Sequence, residues 1–398
     1  MNLANELAKF APNLLNLLKM YIKRTLEEVL KEKLYSSNKI LILYGARQVG
    51  KTTLVKSILN ETNLKYLEVN ADEKLYNDTL SSRDYNKLKM LVSGYDLLFI
   101  DEAQRIENIG INLKILHDRF PKLKIIVTGS SSFELSNRIH EPLTGRIWNF
   151  RLFPVAFCEL TNHYNIIELD NRLEEFLIYG MYPEIFSLDN IKDKEQYLRL
   201  LTSSYLYKDV LEITSIKHSS KLDDLLRLLA FQVGSQVSLN ELGRSLNMSK
   251  DTVNSYIDLL EKSFVIFRLN GYSRNLRKEV TKMDKIYFYD PGVRNAIINN
   301  FNTIKYRDDV GGLWENFLIA ERMKSLHYVM KFPNQYFWRT YSGAELDYIE
   351  EEKSKLYGYE FKWGDKETKM PETWKSTYPN ADFQCINLQR YTNFLLGR

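Results

Sequence analysis

One short stretch limits the folds open to this chain more than any other: the nine residues Gly-Ala-Arg-Gln-Val-Gly-Lys-Thr-Thr at positions 45–53. An apolar run from Ile40 to Tyr44 precedes it, and a helical pattern begins near Lys51. A glycine-rich loop between a strand and a helix presents backbone N–H groups to phosphate oxygens, and the helix N-terminus adds positive potential. The sequence therefore predicts a phosphate-binding loop. Its members are Gly45, Ala46, Arg47, Gln48, Val49, Gly50, Lys51, Thr52 and Thr53.

Two side chains of this loop and two acids farther along have predicted chemical tasks. Lys51 is expected to reach β- and γ-phosphate oxygens, and Thr52 to ligate Mg²⁺ through its hydroxyl. The run Leu97 to Ile100 is followed by Asp101, predicted to hold Mg²⁺ through water, and Glu102, predicted to polarise the attacking water. The adjacent glutamate favours hydrolysis over phosphorylation of a small substrate. The predicted ligands are therefore ATP and Mg²⁺, with Glu102 and Lys51 as catalytic residues.

Two further positions are predicted to contact the terminal phosphate. The strand ending at Thr128 continues into Gly129-Ser130-Ser131-Ser132, at the sheet edge where ligands of α/β proteins bind. Ser130 or Ser131 is therefore a predicted γ-phosphate sensor, with a plain turn as the alternative. Arg146 follows a flexible turn and is predicted to stabilise transition-state charge in its own or a neighbouring subunit. A surface ion pair is the alternative for this arginine.

Composition excludes several classes of protein. With 398 residues the chain is long enough for two or three domains, and no window approaches the roughly 18 consecutive apolar residues of a membrane span. The first residues lack the pattern of a secretory signal, and the two cysteines lie far apart without metal-ligand spacing. We therefore expect a cytoplasmic protein with no membrane partner. Because the formal net charge is only +4, any nucleic-acid surface has to be local.

Short apolar runs alternate with helical stretches in the first part of the chain, which predicts a parallel sheet covered on both faces. The predicted strands are Ile40 to Tyr44, Tyr66 to Val69, Leu97 to Ile100, Ile125 to Thr128 and Ile147 to Leu152. A helical pattern follows, interrupted at Gly180 and Pro183. We interpret this helical part as a lid or linker.

A helix-turn-helix is predicted between residues 238 and 262. Ser238 and Glu241 form a capping box, and Ser249 caps the second helix after a turn at Asn247-Met248. In such a unit the early exposed residues of the second helix face a DNA major groove. Here they are Lys250, Thr252, Asn254 and Ser255.

Two strands, Phe264 to Leu269 and Lys285 to Tyr289, are predicted to follow as the hairpin of a winged helix. The basic residues in and beside the connection are Arg274, Arg277, Lys278, Lys282 and Lys285. Such a run neutralises DNA phosphates, although charged hairpin tips are also common as plain solvated loops. Contact with double-stranded DNA and a purely connecting role both stay open for this unit.

The last third of the chain contains three carboxylates and a lysine at informative spacing. Glu315 lies on a predicted helix, and Asp347 follows a strand-like run. Glu360 and Lys362 share one face of the next strand, because side chains alternate along a strand. Converging carboxylates bind Mg²⁺ or Mn²⁺, and the metal lowers the pKa of a bound water for phosphodiester cleavage. The four residues therefore form a candidate nuclease-like site, whose activity stays open.

Three of the motifs occur together in a known family. Gly-Ala-Arg-Gln-Val-Gly-Lys-Thr-Thr, Phe-Ile-Asp-Glu-Ala-Gln and Thr-Gly-Ser-Ser-Ser, in this order, resemble AAA-superfamily ATPases of prokaryotes. From about Met20 onward the chain resembles the group in which this ATPase is joined to a nuclease-like domain of unassigned function. The resemblance implies a Walker A pair at Lys51 and Thr52 and a Walker B pair at Asp101 and Glu102.

The resemblance extends to the softer assignments. It implies the sensor at Ser130 or Ser131 and the arginine at Arg146. The C-terminal residues resemble PD-(D/E)XK nucleases, with Asp347 matching the single aspartate and Glu360-x-Lys362 the final pair.

The expected fold class is α/β, with a P-loop NTPase parallel sheet of the AAA or ASCE type followed by three further units. The expected bounds are an N-terminal helix (1–38), a P-loop ATPase domain (39–152), a helical lid or linker (153–220), a winged helix (221–292) and a nuclease-like α/β domain (293–398). Two functions follow. In the first, ATP hydrolysis is coupled to DNA binding or processing. In the second, the chain is an ATP-dependent switch that binds a protein partner or itself, and its nuclease-like domain is inactive.

Overall fold

The computed structural model describes residues 21–130, 143–206, 219–273, 284–340 and 342–397. Just over half of the predicted N-terminal helix, the alternative sensor Ser131 and most of the basic hairpin residues lie outside these ranges. The hairpin residues concerned are Arg274, Arg277, Lys278 and Lys282.

A five-stranded parallel sheet forms the centre of the first part of the chain, as predicted. Its strands are β1 (Ile40–Tyr44), β2 (Tyr66–Asn70), β3 (Leu97–Asp101), β4 (Lys124–Gly129) and β5 (Ile147–Arg151). They lie in the order β2-β3-β4-β1-β5. β1 is buried over all five residues, which is typical of a parallel sheet covered on both faces. Because β4 lies between β1 and β3, the residues that follow these three strands meet at one edge of the sheet.

Within the described residues, five helices accompany this sheet. They are α1 (Leu26–Ser36), α2 (Lys51–Glu61), α3 (Lys74–Leu80), α4 (Tyr85–Val92) and α5 (Ile109–Arg119), with a 3-10 turn at Ala103–Arg105. α2 buries Leu54, Val55, Ile58 and Leu59, the spacing of one helical face. This packing fixes the first turn of α2 against the sheet.

A helical segment follows the sheet, as predicted. It comprises α6 (Phe157–Leu160), α7 (Ile166–Asn171), α8 (Leu173–Tyr179), a 3-10 turn at Pro183–Phe186, α9 (Ile191–Leu200) and a π-helical turn at Leu201–Leu206. α8 ends at Tyr179, and the next residue, Gly180, has a φ of 69°, in the left-handed region that favours glycine. The chain therefore turns sharply before Pro183.

Farther along the described ranges, the helices are α10 (Ser219–Phe231), α11 (Leu239–Leu246), α12 (Lys250–Lys262), α13 (Pro291–Ile297), α14 (Val310–Tyr328), α15 (Glu372–Thr377) and α16 (Tyr391–Leu396), with a 3-10 turn at Ile304–Tyr306. The remaining strands are β6 (Gln236–Val237), β7 (Ile266–Gly271), β8 (Asp284–Phe288), β9 (Asn334–Arg339), β10 (Glu345–Glu352), β11 (Lys355–Phe361) and β12 (Asp382–Ile386). None of the helices in the described ranges combines the length and the apolar character that crossing a bilayer requires.

One sheet runs through the whole C-terminal half. Its seven strands lie in the order β12-β11-β10-β9-β7-β8-β6. β7 pairs with β9 in parallel, with Asn270 opposite Tyr336 and Gly271 opposite Phe337. This pairing crosses the boundary expected at residues 292/293. The hairpin strands β7 and β8 are therefore part of the same sheet as the carboxylate-bearing strands β10 and β11.

Candidate functional site

The predicted phosphate-binding loop lies at the carboxyl edge of the first sheet, between β1 and α2. Gly50, the residue before α2, has a φ of 93°, a conformation that side chains other than glycine rarely adopt. Gln48 also has a positive φ, of 62°. The backbone therefore turns tightly before it enters the helix.

The ammonium of Lys51 lies inside this loop. The residue is 4% exposed, and its Nζ donates to the carbonyl oxygens of Gly45 and Ala46, each at 2.9 Å. Lys51 also lines the cavity in front of the loop. Its position therefore suits the predicted contact with phosphate oxygens.

Thr52 and Asp101, the two predicted Mg²⁺ ligands, lie together. The Thr52 hydroxyl donates to Asp101 Oδ2 at 2.8 Å, and the Thr128 hydroxyl donates to the other carboxylate oxygen. The backbone N–H of Glu102 donates to Thr128 Oγ1 at 3.3 Å. A hydroxyl and a carboxylate beside a phosphate pocket are the oxygen donors that Mg²⁺ prefers, so these residues fit the ion. Sequence reasoning missed Thr128, although it ends the strand whose following serines were singled out.

Glu102, the predicted water-activating acid, is connected to the predicted sensor by a glutamine. Gln104 Nε2 donates to a Glu102 carboxylate oxygen and, at 2.9 Å, to Ser130 Oγ. Ser130 is 3% exposed. Gln104 thus holds the side chains of the acid and the sensor in one hydrogen-bonded group. It is the last residue of the Phe-Ile-Asp-Glu-Ala-Gln motif, which is the signal that could have identified it.

A cavity of about 550 Å³ opens in front of the loop. Its lining combines residues of the phosphate loop, the first turn of α2 and the residue after β3 with three residues from the helical segment. The lining residues are Gln48, Gly50, Lys51, Thr52, Thr53, Glu102, Pro183, Glu184 and Tyr197. The volume is in the range of small-molecule sites. The helical segment therefore closes one side of the candidate nucleotide pocket, and Pro183, Glu184 and Tyr197 are site residues that the sequence did not reveal.

Asp290 holds the turn that brings Pro183 to the pocket. Its Oδ2 accepts from the Met181 N–H at 2.7 Å and its Oδ1 from the Val293 N–H at 3.1 Å. A Cβ atom at Gly180 would lie 1.9 Å from Asp290 Oδ1, so only glycine allows this approach. Burial raises the pKa of Asp290, while the nearby Lys324 opposes that rise. The Asp-Pro-Gly segment after β8 is thus a fixed support for one wall of the pocket.

The structure does not bring Arg146 to the phosphate loop of the same chain. The backbone N–H of Ile40 donates to Arg146 O at 2.9 Å, so Arg146 lies beside the start of β1. The loop follows the other end of this five-residue strand, about 13 Å away at 3.3 Å per residue. The guanidinium instead makes two bonds to Asp118, at 2.8 and 3.1 Å. Its placement corresponds to the surface ion pair that was the alternative.

The carboxylates of the C-terminal part gather around a buried lysine. Lys285 Nζ lies 2.9 Å from Glu315 Oε1, 2.7 Å from Glu345 Oε1 and 4.0 Å from Asp347 Oδ1. The Tyr287 hydroxyl also donates to Glu315 Oε1. Lys285 is 2% exposed, so its predicted role as a phosphate-neutralising hairpin residue is wrong. Its position on β8 directs it to the carboxylates because this strand belongs to the C-terminal sheet.

Charge interactions connect the four predicted nuclease-like residues, but these residues do not form one group that could hold a metal ion. Burial raises the pKa of Asp347 well above its usual range, and the carboxylates of Glu315 and Glu360 raise it further. Lys362 Nζ donates to Glu360 Oε1 at 2.7 Å. Although burial opposes charging of Lys285, the surrounding carboxylates raise its pKa. Within the described parts of the chain, no three His, Cys, Asp or Glu side chains are grouped so as to hold a metal ion.

The predicted helix-turn-helix residues lie at the surface. α11 is capped by Ser238, and α12 by Ser249, whose hydroxyl accepts from the Thr252 N–H at 3.1 Å. Asn247 forms the turn in the left-handed conformation. An open cleft of about 440 Å³ lies at this turn, lined by Asn240, Gly243, Arg244, Asn247, Met248 and Lys250. Arg244 and Lys250 are exposed there, so the cleft has positive charge at its rim.

Three family descriptions match successive parts of the chain. Residues 37–161 match the family described as AAA domain. Residues 170–303 match a domain of unknown function, DUF8612, and residues 310–387 match another, DUF4143. The AAA match covers the phosphate loop, both acids and the sensor strand.

Relatives are found in archaea and bacteria. An uncharacterized protein of Methanocaldococcus jannaschii is 27% identical over 71% of this chain, and the match covers 66% of that protein, just under two thirds of its length. An uncharacterized protein of Mycobacterium tuberculosis is 26% identical over 81% of this chain and 70% of its own length. The solved Walker-type ATPase of Pyrococcus abyssi is 16% identical with a TM-score of 0.48, covering 68% of this chain and 94% of that one.

The AAA match agrees with the geometry of the first sheet. The AAA match begins three residues before β1 and ends ten residues after β5. Its span therefore contains the tight loop, the Thr52–Asp101 pair and the Glu102–Gln104–Ser130 group. The sheet, the loop and the family match together support an AAA-superfamily P-loop ATPase in residues 37–161.

Proposed function

We propose that this protein binds ATP with Mg²⁺ in the pocket in front of Gly50 and hydrolyses it. The observation that carries the proposal is the meeting of Lys51, Thr52 and Glu102 around one cavity, with Asp101 bonded to Thr52. These are a cation for phosphate oxygens, oxygen donors for Mg²⁺ and an acid for water.

Each group of the pocket has a distinct task in this proposal. Backbone N–H groups of the loop and the Lys51 ammonium bind the phosphates. Thr52 and Asp101 would hold Mg²⁺, which when bound would neutralise part of the phosphate charge. Glu102 orients the attacking water and accepts its proton, while Gln104 holds the Glu102 carboxylate in place. The helical wall at Pro183 and Tyr197 excludes bulk water from one side of the pocket.

The test is ATP turnover by the purified full-length chain. Phosphate release should require Mg²⁺ and fall to background when the ion is removed with a chelator. A folded protein that binds no nucleotide would contradict the proposal.

We propose that Arg146 acts on the nucleotide of a neighbouring copy, because the pocket of its own chain lies at the other sheet edge. Arg146→Ala should lose ATP turnover, and mixing it with Lys51→Ala protein, which still has the arginine, should restore turnover. Both results together would support this role.

Double-stranded DNA is the first candidate for what ATP turnover is coupled to. The exposed Arg244 and Lys250 beside the turn between α11 and α12 support it, together with the winged-helix order of elements from α10 to β8. Asp251 is exposed next to Lys250 and reduces the local positive charge. Binding of a duplex oligonucleotide at low salt should weaken in the Arg244→Ala/Lys250→Ala double variant. Absence of any binding by the wild type at low salt would remove this candidate.

An ATP-dependent interaction switch is the second candidate, and Lys285 favours it. The ammonium of this lysine compensates the negative charge of Glu315, Glu345 and Asp347. In a metal-dependent cleavage site, bound metal ions would compensate that charge instead. In this proposal the C-terminal α/β part keeps a nuclease-like shape without cleaving. Incubation of plasmid DNA with Mn²⁺ distinguishes the two candidates. Cleavage that disappears in Asp347→Ala would contradict the switch, whereas intact plasmid together with a partner captured by Glu102→Gln in ATP would support it.

A further inference from the structure

Arg24 lies against the phosphate loop but not among the residues that line the pocket. It is 4% exposed, and its Nη1 donates to the Val49 carbonyl oxygen at 2.8 Å. Its Nη2 donates to Phe153 O at 2.7 Å and to the Tyr328 hydroxyl at 3.2 Å. Its Nε donates to Glu159 at 3.0 Å. One side chain therefore joins the loop, the segment after β5 and the end of α14.

The bond to Val49 bears directly on the nucleotide pocket. A trans peptide is planar, and its C=O and N–H groups point in opposite directions. The described residues contain no cis peptide bond. A guanidinium that holds the Val49 carbonyl therefore also fixes the direction of the Gly50 N–H. This N–H is therefore directed away from Arg24, and because Gly50 lines the cavity, we expect it to be available to the phosphates there.

Gly50 is a flexible point next to this peptide. Glycine is the residue with the largest backbone freedom, and Gly50 adopts a φ of 93°. We expect the contact with Arg24 to restrict rotation of the peptide between Val49 and Gly50 and so to keep its N–H directed toward the phosphates. A Cβ atom at Gly50 would lie 3.9 Å from Arg24 Nη1, so the guanidinium is in close reach of this peptide.

The surroundings of Arg24 hold the guanidinium in one orientation. Glu159 is 0% exposed and accepts from the backbone N–H groups of Thr25, at 2.8 Å, and Ala156, at 2.9 Å, as well as from Arg24. The planar fork of an arginine matches several acceptors at fixed angles, which an ammonium does not. Contacts with Glu159, the Phe153 carbonyl oxygen and the Tyr328 hydroxyl thus fix the orientation in which the guanidinium donates to Val49.

Tyr328 connects this arrangement to the C-terminal part. It is the last residue of α14, and its hydroxyl also accepts from the Phe153 N–H at 3.3 Å. The same helix carries Glu315, which contacts Lys285 in the carboxylate cluster. α14 has 19 residues and is therefore a rigid element roughly 27 Å long. A shift of α14 along its axis would move Tyr328 relative to the guanidinium.

We propose that Arg24 is a positioning residue of the nucleotide site, which aims the Gly50 N–H at the phosphates and ties the loop to α14 through Tyr328. The inference rests on the proposed ATP site. It adds Arg24, which lies outside the loop and just before α1, to the residues on which phosphate affinity depends.

The experiment compares ADP affinity, measured by calorimetry, with the thermal unfolding midpoint of the nucleotide-free protein. Arg24→Lys keeps a positive charge for Glu159 but loses the fork. We expect ADP affinity to fall about tenfold. Tyr328→Phe removes only a hydroxyl and should lower ADP affinity by about two- to threefold or more. Because Tyr328 acts through Arg24, the double variant should bind little more weakly than Arg24→Lys alone.

Arg322→Lys is the matched control. Arg322 is also a largely buried arginine, bonded to Glu350 at 2.7 and 2.9 Å and to Phe394 O at 2.7 Å, away from the loop. It should lower the unfolding midpoint without changing ADP affinity. Unchanged ADP affinity in Arg24→Lys, or an equal loss in Arg322→Lys, would overturn the inference. If Arg24→Lys does not fold, unchanged affinity in Tyr328→Phe would overturn it. A wild type that binds no ADP would instead contradict the nucleotide site and remove both proposals.

Discussion

The hydroxyl of Thr52 and the carboxylate of Asp101 lie 2.8 Å apart, although 49 positions separate them in the chain. The two residues follow β1 and end β3, whose carboxyl ends are separated only by β4. Their meeting places oxygen donors beside Lys51 at the opening of the pocket. The pair therefore links the parallel topology of the sheet to the proposed chemistry of the site.

Replacement of Asp101 by asparagine should abolish the effect of Mg²⁺ on nucleotide binding. The variant keeps the shape of the side chain but loses the negative charge that would hold the ion. Calorimetric titration of ADP should show tighter binding with Mg²⁺ in the wild type and equal binding with and without it in Asp101→Asn. Asp118→Asn, at the other edge of the sheet, is the control and should retain the Mg²⁺ effect. A normal Mg²⁺ effect in Asp101→Asn would show that the ion is held elsewhere.

Lys51→Ala should weaken ATP binding by about ten- to hundredfold, because charge-assisted hydrogen bonds to phosphate are lost. Lys56→Ala provides a control from the same helix, since Lys56 is half exposed and forms a surface pair with Glu68. That variant should bind ATP as the wild type does. Equal ATP affinities in the wild type and Lys51→Ala would refute the assignment of the phosphate loop.

Lys285→Met should lower the free energy of unfolding by about 3–5 kcal/mol, because it leaves the largely buried carboxylates of Glu315 and Asp347 without their counter-charge. Lys355→Met is the control, since Lys355 and Asp382 form a pair in which both side chains are about half exposed. The control should change the free energy of unfolding by less than about 1 kcal/mol. Adding Glu315→Gln to Lys285→Met should recover part of the loss. Urea titrations that give the two lysine variants equal stability would contradict the buried role of Lys285.

His327 should make the fold less stable in mild acid. Burial, and secondarily the charge of Arg151, lowers the pKa of His327 from 6.5 to about 4. Between these two pH values the unfolded chain takes up a proton that the folded chain does not, so stability falls as the pH falls. The loss from this residue should reach roughly 2 kcal/mol at pH 5. His327→Gln cannot take up this proton and should show a correspondingly flatter decline in urea titrations. Identical pH profiles for the two proteins would contradict the lowered pKa.

Much of the first sheet is predictable from the sequence because each element has a local signal. Buried parallel strands are nearly continuous apolar runs, and the bounds of β1 agree with the predicted Ile40 to Tyr44. The loop, the two acids and Ser130 form a motif whose spacing reflects the meeting of three strand ends. Sheet topology then brings the Thr52 hydroxyl and the Asp101 carboxylate together, as expected for two residues predicted to hold the same Mg²⁺ ion.

The rest depends on contacts between distant parts of the chain. Lys285 has the local pattern of a basic hairpin residue, but its partners Glu315 and Glu345 lie 30 and 60 positions away. The pairing of β7 with β9, which buries this lysine, has no local signal. Arg146 follows a flexible turn and matches the family's motif order, but its position directly before β5 puts it at the opposite sheet edge. Arg24 is a single arginine in a helical pattern, without a motif that marks it. Its role is visible only from the four acceptors that it meets in the folded chain.

Phosphate release by the wild type and Glu102→Gln, measured together with bound nucleotide, tests the central claim most directly. The glutamine keeps the size of the side chain but cannot accept a proton from water. We expect the wild type to release phosphate from ATP with Mg²⁺, and the variant to bind ATP with similar affinity while releasing phosphate at least about a hundredfold more slowly. Wild-type turnover in Glu102→Gln, or a folded wild type with neither bound nucleotide nor phosphate release, would contradict the account.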